Sequence, residues 1–396
     1  GNGIDKTYTT DSKGQITDTL PAGTYTVTEI NTPGRYNTPA SQSLTVPDGG
    51  IATTTFSNTL KKGYVEIYKT DTTTGNPLAG AVYGIYNAAN TRVGSLTTNS
   101  SGYAKSGLLS YGDGYYLLEE QAPEGYMLDT TKHYFNVRMN NQTITIRTAN
   151  TNQMGQIAVK KTDKETGEAV AAPAIFDIYA SKDIVTPEGT VHLKAGALAD
   201  TITTKNGAGT SKQLHLGDYT VTERTAPAGY TQDSKQYPVT LAYAGQTVKI
   251  VTESVTVPNI PQMGTITVHK IDAETGRPVT GATETFEVYA KSDIVTGDGT
   301  IRYKAGELVD TLTTEGGKAT SKPLYLGTYI VTEKTAPEGY IHNPEPQEVT
   351  LRYGGQTVEL VTESVTFANA PQKGQIVVQK NDAESGKPIT ASPAVF

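Results

Sequence analysis

The sequence has no cysteine and no tryptophan in 396 residues. Without cysteine there are no disulfides, no thiolate metal sites and no cysteine nucleophile, so any covalent stiffening must come from other side chains. No stretch of 18 apolar residues occurs, and nothing here is expected to insert in a membrane. The net charge is −7 without a basic cluster, so nucleic acid is not an expected partner. The five histidines, His133, His192, His215, His269 and His342, fall at no repeated position, and no Ser/His/Asp or metal-ligand set emerges. An enzyme acting on other molecules, a bound metal and a cofactor are therefore not expected. Helical periodicity of useful length is missing as well. The chain opens on "GNGIDKTYTT", with neither an initiator Met nor a signal-peptide pattern.

What is present favours strands. Tyrosine is abundant at 24 residues, Thr, Val and Ile fill the patterned segments, and 40 Gly and 20 Pro punctuate them at regular intervals. An all-β chain follows. The segments "GYVEIYKTD" (63–71), "GQIAVKKTD" (155–163), "GTITVHKID" (264–272) and "GQIVVQKND" (374–382) each open a unit, and a Gly- and Thr/Ser-rich turn follows each. Every complete unit reaches a Tyr-x-Val-x-Glu-type strand and an AP-x-GY turn: "YYLLEEQAPEGY" (115–126), "YTVTERTAPAGY" (219–230) and "YIVTEKTAPEGY" (329–340). A related "YTVTEINTPGRY" stands at 25–36. One more strand then closes the unit.

Such self-similarity predicts a tandem array of β-sandwich domains. Complete units cover 63–152, 155–261 and 264–371; residues 1–60 hold the later part of a repeat and 374–396 the first part. A window cut from a longer array accounts for these complementary halves without further physics; strand addition between chains is the other hypothesis they permit. Short joints such as "PQM" (261–263) and "PQK" (371–373) predict an extended row of adjacent repeats with little freedom. The second and third units carry inserted hairpins at 179–196 and 289–306, where Glu188-Gly189 and Asp298-Gly299 predict two-residue turns.

Alternate residues of a strand share one face. Lys69 therefore lies with Val65 and Ile67, Lys161 with Ile157 and Val159, Lys270 with Ile266 and Val268, and Lys380 with Ile376 and Val378. Glu119 shares the face of Tyr115 and Leu117. Glu223, Glu333 and Glu29 repeat that pattern. In the closing strands Asn150 aligns with Ile146, Asn259 with Val257, Asn369 with Phe367 and Asn58 with Phe56. Each Lys stands six residues after its opening Gly, and each Asn five residues before the next one. Every complete unit thus aims one Lys, one Glu and one Asn into its core.

Burial is expensive for such groups. Desolvation shifts a buried Lys or Glu by about 3–5 pKa units, roughly 4–7 kcal/mol, against a whole-domain stability of about 5–15 kcal/mol. The three side chains should therefore meet. A lysine driven to its neutral amine is a nucleophile. A glutamic acid kept protonated by apolar surroundings can donate a hydrogen bond to the Asn carbonyl and polarise it. The amine would attack the Asn side-chain carbon, ammonia would leave, and an amide (isopeptide) bond would join the first strand to the last.

The opening G-x-V-x-[VI]-x-K-x-D strand, the Y-x-V-x-E-x-x-AP-x-GY segment and the closing Asn together resemble the Cna B-type, SpaA-like prealbumin-fold domains of Gram-positive surface proteins and pili. The resemblance covers essentially the whole chain. It implies immunoglobulin-like (prealbumin/transthyretin-like) sandwiches of about seven strands, self-generated Lys–Asn bonds, and a place in stalks, adhesins or pilus shafts on an extracellular, cell-wall-anchored surface. Carried over by position, the bonds are Lys69–Asn150, Lys161–Asn259 and Lys270–Asn369, assisted by Glu119, Glu223 and Glu333. Lys380 lacks its partners in this sequence, and Glu29 and Asn58 lack their Lys.

Plainer readings compete locally. A lysine near a strand end can snorkel to solvent, although four concordant units argue against it. Lys160 adjoins Lys161 and Glu120 adjoins Glu119; parity selects Lys161 and Glu119. Thr148 stands where the other units have Val or Phe, a small departure. Asp71, Asp163, Asp272 and Asp382 are expected to cap the following turn, and Tyr126, Tyr230 and Tyr340 to close the sandwich end. "LPAGT" (20–24) is the turn before Tyr25 rather than a sorting signal, and no Tyr-Pro-Lys pilin motif occurs. The function expected is a structural stalk. The alternative is an adhesive module recognising host matrix protein or glycan through the inserted hairpins, which carry no aromatic cluster.

Overall fold

In the computed structural model, which describes residues 3–396, every regular element is a β-strand and no helix occurs among the described residues. Each complete repeat folds into a sandwich of two four-stranded sheets around its own apolar core. The opening strands Lys62–Asp71, Met154–Asp163 and Met263–Asp272 are long; the first two alternate between buried and more exposed positions, as a sheet with one covered face requires, while in the third Thr265 and Thr267 are buried as well.

Each opening strand pairs in parallel with the closing strand of its own repeat: Thr143–Asn150, Ile250–Asn259 and Leu360–Asn369. Two short antiparallel strands complete that sheet. In the facing sheet of the second repeat the order is Leu198–Thr203, Ile175–Ala180, Gly217–Thr225, Gln236–Leu241, antiparallel throughout, and the third repeat copies it. The strand bearing the glutamate (Gly112–Gln121, Gly217–Thr225 or Gly327–Thr335) is thus central to its sheet. Its leading tyrosine locks the strand start: Tyr115, Tyr219 and Tyr329 donate to the backbone carbonyls of Ser110, His215 and Tyr325 at 3.0, 2.7 and 2.6 Å.

The structure departs from the sequence expectations in three places. Two strands, not one, follow each glutamate strand, because His133–Val137, Gln236–Leu241 and Gln347–Leu351 precede the closing strand. These are short, and one of them holds Pro238 at an exposed position. The inserted hairpins turn through three residues, not two. Gly189 N bonds Thr186 O and Thr186 N bonds Thr190 O, with Gly189 at φ 90°, a type I turn closed by a left-handed glycine. Finally, 374–382 forms no strand: Ile376 and Val377 are exposed, since no closing strand pairs with them. The half-repeat at the other end keeps one antiparallel pair, Gly23–Val27 with Gln42–Val46.

Candidate functional site

The parity argument places one lysine, one glutamate and one asparagine in each core, and the structure brings them together. Lys69, Lys161 and Lys270 are fully buried, as are all but traces of Glu119, Glu223, Glu333, Asn150, Asn259 and Asn369. The neighbours of the same type face outward: Lys160 is exposed, and Glu120 pairs with Arg92 at 2.9 Å. Parallel pairing sets Lys161 opposite Val257, so Asn259 lies two residues further along the same face. Across the sandwich, Phe176 pairs with Glu223 in register, and Tyr83 and Phe286 take the same place opposite Glu119 and Glu333.

Each carboxylate divides its two oxygens in the same way. Glu223 Oε2 accepts Asn259 Nδ2 and the Asp233 backbone N–H, both at 2.8 Å, which leaves Oε1 facing Lys161 Nζ at 4.0 Å. In the third repeat Oε2 of Glu333 accepts Asn369 Nδ2 at 2.8 Å and Asn343 N–H at 2.9 Å, and Oε1, 3.9 Å from Lys270 Nζ, differs from its counterparts in also accepting Asn369 Nδ2 at 3.0 Å. In the first, Oε2 of Glu119 accepts Asn150 Nδ2 at 2.8 Å and Asp129 N–H at 2.7 Å, with Oε1 3.2 Å from Lys69 Nζ. The glutamate therefore stands between the amine and the amide nitrogen. The backbone donor ten residues beyond each Glu comes from the turn after AP-x-GY, a contact that alternation along a strand does not reveal.

The asparagine orientation differs from the expected one. Its Nδ2, not its carbonyl, faces the acid; in the first two repeats a backbone carbonyl on the other side (Met127 O for Asn150, Thr231 O for Asn259) also takes an Nδ2 hydrogen, whereas Asn369 Nδ2 contacts both oxygens of Glu333. The Oδ1 atoms of Asn150, Asn259 and Asn369 are buried without a hydrogen-bond partner. Such an oxygen is under-stabilised in the ground state.

Electrostatics push the pair toward neutrality. Burial lowers Lys161 to about 8, with Glu223 opposing, and burial raises Glu223. Burial also lowers Lys69 and Lys270, against the opposing carboxylates Glu119 and Glu333. The amines are held by nearby acceptors: Val257 O at 2.7 Å for Lys161 and Phe367 O at 3.2 Å for Lys270. Lys69 instead donates to Tyr83 Oη at 2.7 Å, and Thr148, the departure noted in the sequence, bonds that hydroxyl at 2.9 Å.

The incomplete repeats show what assembles alone. Glu29 and Asn58 still pair, at 3.0 and 2.8 Å, without a lysine, whereas Lys380 lies exposed. The aspartates cap turns as expected: Asp163 Oδ1 accepts Glu165 and Thr166 N–H at 2.8 and 3.2 Å. Its other oxygen takes the Tyr230 hydroxyl at 2.9 Å, so the AP-x-GY tyrosine closes the sandwich end through this carboxylate. Among the described residues no cluster of His, Cys, Asp or Glu is suited to hold a metal ion.

The family model for the SpaA prealbumin-like fold domain matches residues 1–60, 63–152, 155–256 and 264–366. The chain is 37% identical over 81 residues to the trypsin-resistant surface T6 protein of Streptococcus pyogenes, a match covering 20% of this chain and 14% of that protein. Among solved structures it is similar to the Bacillus anthracis TIE protein, with a TM-score of 0.55 and 23% identity over 83% of this chain and 54% of that one. It also matches BcpA, the major pilin subunit of Bacillus cereus, at 18% identity and a TM-score of 0.31, over 79% of this chain and 100% of that one. The chain thus spans a small part of the surface protein and about half of the TIE protein.

Proposed function

This chain belongs to the SpaA prealbumin-like fold family, and from that premise we propose that it is a structural stalk segment of an adhesin or pilus-like protein on the wall of a Gram-positive cell. Its repeats stiffen themselves by forming Lys69–Asn150, Lys161–Asn259 and Lys270–Asn369 amide bonds. The observation that carries this reading is the threefold recurrence of a buried amine and a buried amide on opposite sides of one buried carboxyl group.

The reaction needs one ionisable proton between each lysine and its glutamate. In the tautomer with a neutral amine and a protonated acid, Nζ attacks Cγ of the asparagine. The new C–N bond forms as the C–Nδ2 bond breaks. The glutamic acid gives its proton to the departing Nδ2, which it already contacts, and takes one from the attacking amine. Ammonia leaves, and the acid returns to its starting state. Apolar surroundings favour this neutral form over separated charges. The chemistry acts once per repeat and on the chain itself.

The mechanical consequence follows from the parallel pairing. Force enters a repeat through the opening strand and leaves through the closing strand, and a Lys–Asn bond joins these two directly. Intact-mass measurement of the purified chain tests the proposal. A mass lower than the sequence formula by one ammonia per complete repeat is expected, and each of Glu119→Ala, Glu223→Ala and Glu333→Ala should restore one. The full unreacted mass would refute it.

A further inference from the structure

The inserted hairpins and two recurring glutamines meet at the joints between repeats. At the joint before Gly155, Gln153 is almost wholly buried. Its Nε2 donates to Gly245 O and Val248 O at 2.8 and 2.6 Å, and its Oε1 accepts Ala244 N–H at 2.9 Å. Those residues belong to a loop of the following repeat. The same loop answers with Gln246, whose Oε1 accepts Ala122 N–H at 2.8 Å, in the AP-x-GY turn of the preceding repeat.

The next joint repeats this residue for residue. Gln262 Nε2 donates to Gly355 O at 2.9 Å and to Val358 O, and its Oε1 accepts Gly354 N–H at 2.8 Å. Gln356 Oε1 accepts Ala226 N–H at 2.8 Å. Two amides therefore cross each joint in opposite directions, each using both its donor and its acceptor ends.

The hairpin adds a second bolt. Arg302, on the hairpin of the third repeat, reaches Asp163 and Glu165 of the second at 3.0 and 2.8 Å. Asp298 in the hairpin turn accepts the Thr166 hydroxyl at 2.7 Å. One joint earlier, Glu188 in the corresponding turn accepts the Tyr126 hydroxyl at 2.6 Å. There the turn comes so close that a Cβ on Gly125 would sit 2.3 Å from Pro187 Cγ, at a φ of 86° that already favours glycine.

The joint before Gly63 is built differently. Lys61 occupies the place of Gln153 and Gln262, its ammonium bonds Gly34 O at 2.8 Å, and the repeat that follows carries no inserted hairpin. Among the described residues neither half of the amide clamp is found there.

We propose that the inserted hairpin and the Gln246/Gln356 loop form an interlocking surface whose partner is the end face of the preceding repeat, fixing the angle between neighbours at 153–155 and 262–264 while the joint at 60–63 bends. The sequence offered these hairpins, as the alternative to a stalk, to a ligand of another molecule; their turns contact the preceding repeat of this chain. The inference deepens the stalk reading but does not depend on the Lys–Asn bonds. Buried, doubly satisfied amides at a joint resist bending, because opening it strands their partners.

The absence of native cysteine makes the test direct. Spin labels are attached in the full chain at cysteines replacing the exposed Lys205 and Glu315, across one interlocked joint, and at Asp48 and Ser100, across the joint at 60–63. A narrow distance distribution is expected for the first pair and a broad one for the second. Gln262→Ala with Arg302→Ala should broaden the first to the width of the second, and Gln356→Ala alone, in a surface loop, should broaden it partway. A broad first distribution in the unaltered chain, or one that stays narrow in both variants, overturns the proposal. Intact mass is recorded on the same samples, so loss of the interlock and loss of the crosslinks read separately.

Discussion

Tyr83 Oη lies 2.7 Å from Lys69 Nζ, at a position filled by Phe176 and Phe286 in the other two complete repeats. The first repeat therefore gives its lysine two close acceptors, Tyr83 and Glu119, and both favour the ammonium over the nucleophilic amine. Its crosslink should form more slowly than the other two after refolding at neutral pH. Tyr83→Phe is expected to accelerate it. Peptide-resolved mass spectrometry over the refolding time course measures the three rates separately, and a slower Lys69–Asn150 reaction in the variant would contradict this assignment.

The Lys161–Glu223 pair has a pH signature that distinguishes a shared proton from simple amine titration. The reactive tautomer holds one proton for the two groups, so its population is constant between the two macroscopic pKa values. Below the lower value both groups are protonated and the amine is blocked. Above about 8, where burial has moved Lys161, the pair loses its last proton and no acid remains to release ammonia. The second-repeat rate should be flat through mildly acidic and neutral pH and fall in alkali. A rate that climbs steadily to pH 10 would show that a free amine alone suffices.

Asn259→Ala isolates the contribution of the bond to stability, since the Lys161–Glu223 pair stays in place. The proposed bond would close a loop of about 100 residues, and by analogy with disulfides the loss should be about 4–5 kcal/mol. Calorimetry of the full chain should show one transition moving to lower temperature. Unchanged transitions would mean that the second repeat carries no crosslink to lose.

Much of this site was legible in the sequence because repetition turns a weak parity signal into a strong one. A single Glu223 two residues from Val221 on a strand could be a solvated edge residue; four copies, each four residues after its tyrosine, are not explained that way. Features present in one copy had no such support. Tyr83 reads as another core aromatic until its hydroxyl is found against Lys69. Glu284, where the other repeats have Ala174 and Ala81, reads as a surface residue in a polar stretch. The contacts of the joints were hidden for a different reason: Gln153 and Gly245 are far apart in sequence, and no strand period links them. The repeated Gln of 153, 262 and 372, three residues after each Asn, was the available clue.

Glu284 itself carries a prediction. Its carboxyl is fully buried beside Thr314, and burial raises its pKa while the nearby Lys270 opposes the rise. A carboxyl whose folded pKa lies above its unfolded value of about 4.3 binds its proton more tightly in the native state. Its contribution is therefore fully present below about pH 4.3 and is lost as the pH rises through the folded value. Glu284→Gln, which cannot ionise, should remove that loss. The variant should match the unaltered chain in acid and exceed it in melting temperature at neutral pH. A gap that widens toward acid instead would reverse the sign and show that ionised Glu284 is the stabilising form.

With first and last strands paired in parallel, the proposed crosslinks would act as a mechanical device rather than only a thermal one. Pulling the ends of a repeat apart shears Met154–Asp163 against Ile250–Asn259, loading all their hydrogen bonds together. A Lys161–Asn259 bond lies at the far end of that shear plane, so the load passes from Lys161 into Asn259 and on toward the joint at Gln262. The residues between them, which include the whole facing sheet, carry no force. Stretching the full chain in a force spectrometer should therefore release only the terminal half-repeats, with no step for any complete repeat. Glu223→Ala should add one step of about 30–35 nm, the extended length of a repeat of this size, and Glu333→Ala a second when combined with it. Steps of that length in the unaltered chain would show that force reaches the hydrogen-bond ladder, and the strut between Lys161 and Asn259 would have to be abandoned.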